Sequence, residues 1–186
     1  MTGAVCKPIM VPTAFGAEVF KKGKRTLVKL ESGHHHSVAM TSDGKVWAWG
    51  DAESGKIGRM LKSRNKNEQA MKIEQVGAKQ AVDIFCGGNA SFYKNKKNQL
   101  FGWGLNNHGQ LGIGHKENVS QPTRVDWKDG EESTVTQLTG GEHHTIALTE
   151  EGKVYVWGRN DEGEAGVGDL FGDYRKEQAA LELKKL

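Results

Sequence analysis

Short runs of β-branched and aromatic residues alternate with polar and glycine-rich positions along most of the chain. Residues 46–49, 100–103 and 154–157 form three such runs, and the apolar runs 37–40 and 145–148 precede two of them. Short runs of this composition predict strands instead of helices. The connectors between them contain Asp-Gly, Glu-Gly or Asn, which supply the positive φ of a tight turn. Each pair of runs is therefore predicted to form a β-hairpin.

These hairpins belong to a repeat with a period of 54 residues. Three copies, anchored at residues 32–58, 86–112 and 140–166, align without a gap, and each places Trp-Gly before a Gly-x-x-Gly pair. The columns to which we assign a structural role are Gly33, Trp49, Gly50, Gly87, Trp103, Gly104, Gly141, Trp157 and Gly158. Glycines in such columns are expected where backbones crowd together, and the tryptophans are expected in the core and not at a base-stacking surface.

Composition narrows the class of protein. The 186 residues include 25 glycines but only 3 prolines, and most of the glycine excess comes from the repeat, which excludes collagen-like and linker sequences. With 36% hydrophobic residues and a net charge of +3, the chain is predicted to be globular. No apolar run approaches the ~20 residues of a membrane span, and the N-terminus lacks a signal-peptide pattern. Two isolated cysteines favour a reducing compartment.

Each repeat also contains a strand-like segment before its anchored copy, so about four strands are expected per period, as in one propeller blade. The predicted fold is an all-β, incomplete β-propeller of about three blades of four antiparallel strands within residues 25–168. Residues 1–24 form an N-terminal segment that could end a preceding blade. Residues 169–186 form a tail, expected to be a short helix or a frayed end. A closed ring needs ~4–8 blades, so an open arc or a fragment is expected.

The combined motif resembles the regulator of chromosome condensation repeat family. Gly-x-x-His-Ser/Thr, Asp/Glu-Gly-Lys-Val, Trp-Gly and Gly-x-x-Gly follow one another at the 54-residue period. Segments 85–87, 102–106 and 140–145 are similar to central repeats of the family's nuclear exchange factor for the small GTPase Ran. The resemblance implies a seven-bladed β-propeller that exchanges guanine nucleotides without a covalent step or a cofactor. It also implies a Ran-like GTPase partner, a histone or nucleosome partner, and a nuclear location.

The resemblance assigns candidate site residues to two regions. The family's GTPase-facing surface uses polar residues of the loop after the repeat glycine, which here are His35, His36, Glu142, His143 and His144. The exchange factor carries an acidic residue where His35 stands, so this sequence departs from the family pattern. The insertion after the first Gly-x-x-Gly matches in place a basic loop that contacts the histone acidic patch. Its candidate contacts are Arg59, Lys62, Arg64 and Lys66, and Arg donors suit carboxylates.

Several alternatives stay open from the sequence. The rival function is a non-catalytic interaction propeller, the rival location is the cytoplasm, and the classification as an enzyme is undecided. No membrane partner or small-molecule substrate is predicted. Zinc needs about four well-placed ligands, and no Cys-x-x-Cys pair accompanies the histidines of residues 34–36, so no metal site is predicted. These histidines are expected at a strand entry, bonded to a neighbouring backbone, or facing a partner. Lys94, Lys96 and Lys97 form either a solvated turn or a basic contact.

Overall fold

The computed structural model describes residues 9–14, 19–20, 25–61, 72–127, 133–166 and 179–181. No helical segment within these ranges has the length and hydrophobicity needed to cross a lipid bilayer. The described chain forms three antiparallel sheets of four strands each, which we call blades one, two and three. The all-β fold with blades of four strands, predicted from the sequence, is confirmed.

The strands follow one another along the chain and, within each blade, lie in chain order from one edge to the other. Blade one contains β1 (Leu27–Ser32), β2 (His36–Thr41), β3 (Val46–Gly50) and β4 (Glu74–Gln75). Blade two contains β5 (Ala81–Cys86), β6 (Ala90–Asn95), β7 (Leu100–Gly104) and β8 (Val119–Arg124). Blade three contains β9 (Val135–Gly140), β10 (His144–Thr149), β11 (Val154–Gly158) and β12 (Ala179–Leu181). A short 3-10 helix, Glu53–Gly55, follows β3.

The 54-residue period reappears as an identical pairing register in the central hairpin of each blade. The equivalent pairs are His36 with Gly50, Ala90 with Gly104, and His144 with Gly158. The turns of these hairpins have the predicted backbone conformation, since Gly44 and Gly152 have φ of +73° and +75° and Asn98 has +61°. Asn is among the few residues other than Gly that tolerate this conformation, which explains how the second copy forms the same turn without a glycine.

Hydrophobic cores lie between the blades and not within them. One face of blade one packs on blade two, and the core there includes Val38, Met40, Val46, Ala48, Ile84, Tyr93 and Trp103. The opposite face of blade two packs on blade three, with a core that includes Phe85, Phe92, Leu100, Leu111, Val135, Ala147 and Trp157. Because successive strand residues point to opposite faces, blade two contributes alternate side chains to the two cores. The stability of each blade therefore depends on its neighbour.

The tryptophan column and the Gly-x-x-Gly pairs are the two sides of one contact between blades. The Trp103 indole Nε1 donates to the backbone carbonyl of Lys56 at 2.9 Å, and the Trp157 Nε1 donates to the carbonyl of Gln110 at the same distance. Lys56 and Gln110 are the first residues inside successive Gly-x-x-Gly pairs. A Cβ on Gly58 would lie 2.8 Å from the Trp103 Nε1, so this close approach requires glycine. The predicted core position is confirmed for Trp103 and Trp157, while Trp49 is half-buried.

The C-terminal tail differs from the prediction. A short helix was one expectation for the tail, because residues 176–186 are rich in helix-forming types, but Ala179–Leu181 form strand β12. This strand pairs antiparallel with β11, with Tyr155 opposite Ala180. Strand β11 pairs with β10 along one edge. The backbone N–H and C=O groups of its other edge would be unpaired without a fourth strand beside it. Tertiary pairing therefore overrides the intrinsic helix preference of these residues.

The described connections between strands lie at the two opposite ends of the blades. The loops 33–35, 87–89 and 141–143, between the first two strands of each blade, lie at one end together with the loops that leave β3, β7 and β11; we call this end the loop face. The hairpin turns 42–45, 96–99 and 150–153 lie at the opposite end of the strands, which we call the hairpin face. The antiparallel order of the strands fixes this separation.

The N-terminal segment contacts the outward side of blade one. Phe20 lies edge-on to the Trp47 ring with 6.0 Å between ring centroids, and the Arg25 guanidinium lies 5.6 Å from the centre of the same ring. Trp47 is 9% exposed. The assignment of residues 1–24 to the end of a preceding blade stays a prediction, because most of this segment lies outside the described residues.

Candidate partner-binding face

The loop face is held together by backbone hydrogen bonds that cross from blade to blade. The His34 N–H donates to the Gly88 carbonyl at 2.8 Å, and the Gly88 N–H donates to the Gly141 carbonyl at 3.0 Å. One loop of each blade therefore bonds directly to the loop of the next. The polar side chains of these loops are therefore attached to a backbone that is hydrogen-bonded from blade to blade. Because this backbone is already ordered, the loops would lose less conformational entropy when a partner binds.

A second set of backbone bonds ties each of these loops to the chain that leaves the third strand of its blade. The three equivalent bonds run from the N–H of Asp51 to the His35 carbonyl, from Leu105 to Asn89, and from Arg159 to His143. Their lengths are 2.8, 3.0 and 2.9 Å. His35 and His143, two of the residues that the resemblance assigns to a GTPase-facing surface, thus occupy the same backbone site, with Asn89 at that site in blade two. This similarity is the structural meaning of their 54-residue spacing.

The predicted GTPase-facing residues are not equally available to a partner. His35 and Glu142 are exposed, and His143 and His144 are half-buried. Glu142 accepts a 3.4 Å hydrogen bond from the Asn89 amide of the neighbouring blade, and its carboxylate lies 3.8 Å from the His143 Nε2. Glu142 and His143 therefore sit beside blade two, while His35 projects from blade one.

His36 is not a surface residue, which corrects its assignment as a contact residue. It is 3% exposed, and its Nε2 lies 2.7 Å from the Ser91 Oγ on β6 and 3.9 Å from the Cys86 Sγ. Its ring is stacked so tightly over Gly33 that a Cβ there would collide with it. His144 has the same relation to Gly141, where a Cβ would lie 2.7 Å from the His144 Cε1. The repeat glycine is needed where a histidine follows three residues later.

The environment of His36 suppresses its charge. Burial and, to a smaller extent, the positive charge of Lys56 together lower its pKa from 6.5 to about 4. Lys56 is itself 6% exposed, and its Nζ is held 2.6 Å from the Asp51 carboxylate. His36 is therefore neutral near pH 7 and acts as a packed, hydrogen-bonded link between blades one and two.

Cys86, beside His36, is not arranged for nucleophilic chemistry. Burial raises the pKa of its thiol to about 12, although the Ser91 hydroxyl hydrogen bond acts in the opposite direction. A thiol must ionise to act as a nucleophile or a metal ligand, so this cysteine is inert at neutral pH. In the described part of the chain, no group of three or more His, Cys, Asp or Glu side chains could hold a metal ion.

Two residues of the loop face were missed by the sequence reasoning. The His108 ring lies beside His143 with 4.6 Å between ring centroids, and the pKa of His108 is lowered by burial and by the nearby charges of His143 and Arg159. Arg159 forms an ion pair with Asp161 and lies 3.6 Å from the Glu164 carboxylate. His108 directly precedes the Gly-x-x-Gly pair of the second copy, and Glu162 and Ser54 precede the other two pairs. That polar column was the signal available in the sequence.

The predicted histone-contact set is only partly described. The Arg59 side chain is 12% exposed, and its guanidinium donates to the carbonyls of Ala48 and Lys72 at 2.8 and 3.0 Å. Its Nε also lies 3.2 Å from the Glu74 carboxylate. Arg59 therefore anchors the insertion to the sheet, which corrects its assignment as a partner contact. Lys62, Arg64 and Lys66 lie outside the described residues.

The sequence matches the RCC1-like domain over residues 5–185. The chain belongs to the RCC1-like family. This RCC1-like chain is 34% identical to protein pim1 of Schizosaccharomyces pombe over 148 residues, which is 77% of the chain and 27% of pim1. It is 35% identical over 160 residues to the human E3 ubiquitin-protein ligase HERC2, covering 86% of the chain and 3% of that protein.

A solved structure gives the same relationship. The RCC1-like chain superposes on Prp20p of Saccharomyces cerevisiae with a TM-score of 0.72 and 29% identity, covering 82% of the chain and 35% of Prp20p. The structural study of Prp20p also describes its binding to Gsp1p and histones. The chain thus spans between about a thirtieth and about a third of these relatives. The chain therefore shares the RCC1-like repeat with these relatives, and the similarity covers only a minor part of each of them.

Protonation of His36 is expected to couple stability to pH. Because the unfolded histidine binds its proton near pH 6.5 and the folded one only near pH 4, the free energy of unfolding should fall as pH is lowered through this interval. The loss is roughly 3 kcal/mol for this shift. Urea unfolding at pH 7 and pH 4.5 should show a smaller decrease for His36→Gln than for the unmodified chain. His35→Gln, which removes an exposed histidine of the same loop, is the control. Equal decreases in all three proteins would contradict the assignment.

Proposed function

We propose that this RCC1-like chain is a propeller of the guanine nucleotide exchange type, which binds a Ran-type small GTPase through its loop face. The observation that carries the proposal is the connected loop face, on which His35 of blade one and Glu142 of blade three are exposed. The similarity to Prp20p supports the proposal, since the structural study of that protein describes its binding to Gsp1p.

The proposed mechanism needs binding energy and no covalent step. An exchange factor accelerates nucleotide release by binding the nucleotide-free GTPase more tightly than the nucleotide-bound form. The loops that contact the GTPase must therefore keep their shape while the partner changes. The bonds from His34 to Gly88 and from Gly88 to Gly141 supply this rigidity across the blades. Glu142 offers a carboxylate acceptor, and His143 and His108 offer imidazole nitrogens, for polar groups of the partner.

The residue at position 35 favours a second candidate function. Where the resemblance expects an acidic side chain, His35 presents an imidazole, which cannot repeat the charge of a carboxylate. A loop face with this change could retain a protein partner and lose the ability to displace a nucleotide. The alternative is therefore a non-catalytic interaction propeller that uses the same face.

The exchange proposal can be tested by the release of labelled GDP from Ran. The chain is expected to accelerate release, and His35→Asp should increase the effect about fivefold, because one charged hydrogen bond at a partly exposed site contributes about 1 kcal/mol. Asn98→Asp adds the same charge at the hairpin face, where the positive φ of Asn98 also suits Asp, and should change nothing.

The outcomes separate the two candidate functions. If neither the unmodified chain nor His35→Asp accelerates GDP release at micromolar concentration, exchange activity is excluded. If Ran is nevertheless retained by the immobilised chain, and Glu142→Lys abolishes retention, the non-catalytic alternative is supported.

We also propose that the insertion after β3 contacts chromatin, which places the protein in the nucleus and leaves the cytoplasm as the alternative. The sequence supplies Lys62, Arg64 and Lys66 in this insertion, and Arg59 fixes its base to the sheet. Prp20p is the relative that supports a histone partner. A basic insertion held at its base suits an acidic patch on a protein surface, because Arg side chains bind carboxylates through paired hydrogen bonds.

Charge reversal in the insertion tests the chromatin proposal. Arg64→Glu combined with Lys66→Glu should weaken nucleosome binding by about tenfold or more, since two attractive charges become repulsive. The control combines Lys97→Glu with Lys153→Glu, which makes the same change of net charge at the hairpin face. Binding measured by gel shift at low salt should distinguish them. If both pairs of substitutions weaken nucleosome binding equally, the effect depends on net charge alone, and the proposed contact through the insertion is contradicted.

A further inference from the structure

A groove lies on the hairpin face between blades one and two, at the opposite end of the strands from the proposed GTPase site. It encloses about 840 Å³ and is bounded by the turn of blade one, the chain that connects β4 to β5, and Lys96 of the blade-two turn. Nothing in the exchange or chromatin proposals uses this surface. Its size is within the range of ~300–1,000 Å³ typical of ligand-binding clefts.

The rim of the groove is positively charged. Lys45, Lys79 and Lys96 line it, and Asp43 supplies the only carboxylate among the lining residues that the structure describes. Asp43 is already engaged, since its Oδ2 lies 3.1 Å from Arg25 and 3.5 Å from Lys45. Within the described residues, neither Lys79 nor Lys96 has a carboxylate at ion-pair distance, and both side chains are exposed. The groove therefore presents two ammonium groups without a carboxylate partner among the residues that the structure describes.

The floor of the groove is apolar. Met40, Ala78 and Ala81 are buried beneath it, while Val28 and Val82 remain 53% and 42% exposed. These two valines occupy equivalent positions of β1 and β5, the first strands of their blades. Adjacent exposed valines beside lysines leave apolar area that a ligand with both acidic and apolar groups would cover.

Backbone bonds between the blades hold the groove in shape. The Ala81 N–H donates to the Gly44 carbonyl at 3.1 Å, which joins the turn of blade one to β5. The Lys96 N–H donates to the Gln80 carbonyl at 3.1 Å, which joins the turn of blade two to the connecting chain. The lysines thus project from a preformed frame, so little ordering is required when a ligand binds.

We propose that this groove binds an extended acidic peptide in which Asp or Glu residues alternate with apolar residues. Alternation matches the geometry of an extended chain, whose successive side chains point in opposite directions, one set to the lysine rim and the other to the valine floor. A nucleic acid would satisfy the lysines but gains less here, because no aromatic side chain for base stacking is among the described lining residues.

The test is a titration of the complete chain with a labelled peptide in which glutamates alternate with leucines. Saturable binding is expected. Lys79→Gln combined with Lys96→Gln should weaken it about tenfold, since each exposed charge contributes up to ~1 kcal/mol. Lys97→Gln combined with Lys153→Gln removes the same charge from two lysines that do not themselves line the groove and should leave the affinity unchanged. Val82→Ser should weaken binding about threefold through lost apolar contact.

Three results would overturn the proposal. The first is the absence of saturable binding by the unmodified chain. The second is equal weakening by the two lysine pairs, which would indicate attraction to net charge alone. The third is an equally tight complex with a single-stranded oligonucleotide of matched charge that is insensitive to Val82→Ser, which would assign the groove to phosphates. None of these readouts involves a GTPase, so the result is independent of the exchange proposal.

Discussion

The indole-to-carbonyl hydrogen bond between successive blades is the interaction on which the rest of this structure depends. A four-stranded blade has apolar side chains on both faces and cannot bury either face alone. The Trp103 and Trp157 indoles cross to the Gly-x-x-Gly turn of the preceding blade, where each donates to a carbonyl at 2.9 Å. The bond gives the N–H group of a buried tryptophan the acceptor that it would otherwise lack. It also fixes the position of each blade relative to the next along the strand direction.

Both candidate binding surfaces follow from this stacking of blades. Once the blades are aligned, the loops 33–35, 87–89 and 141–143 come within backbone hydrogen-bonding distance and form one connected loop face. The same alignment brings the turn of blade one against β5 at the other end and frames the lysine-rimmed groove. The two surfaces differ in chemistry because they draw on different columns of the repeat. The loop face carries imidazoles and carboxylates, and the groove carries lysines over valines.

The sequence predicted the parts of the fold that depend on periodic positions. The 54-residue spacing of Trp103 and Trp157, and the turn residues Gly44 and Asn98, were sufficient to predict hairpins and blades of four strands. The tail was harder, because helix propensity is a local property whereas β12 exists only beside β11. A single strand pattern could not show that the chain beyond the third copy returns to complete a blade.

The site residues were less predictable than the blades, for a physical reason. His35 and His36 are adjacent in sequence, yet one is exposed and the other packs against Ser91, because neighbouring residues at a strand entry point in opposite directions. Arg59 looks like a surface cation in the sequence, but its donors satisfy backbone carbonyls of the sheet. His108 became visible only when the structure brought it beside His143 from another blade. The roles of these residues depend on contacts between blades, and the sequence of a single repeat does not reveal those contacts.

The most direct test of this account is the free energy of unfolding of Trp103→Ala. Trp103 is fully buried, and its indole is the hydrogen-bonded link from blade two to blade one. Urea unfolding should show a loss of roughly 3–5 kcal/mol for the alanine variant, with a smaller loss for Trp103→Phe, which keeps an aromatic ring but lacks the donor. A loss below about 1 kcal/mol for Trp103→Ala would contradict the claim that this contact holds the blades together.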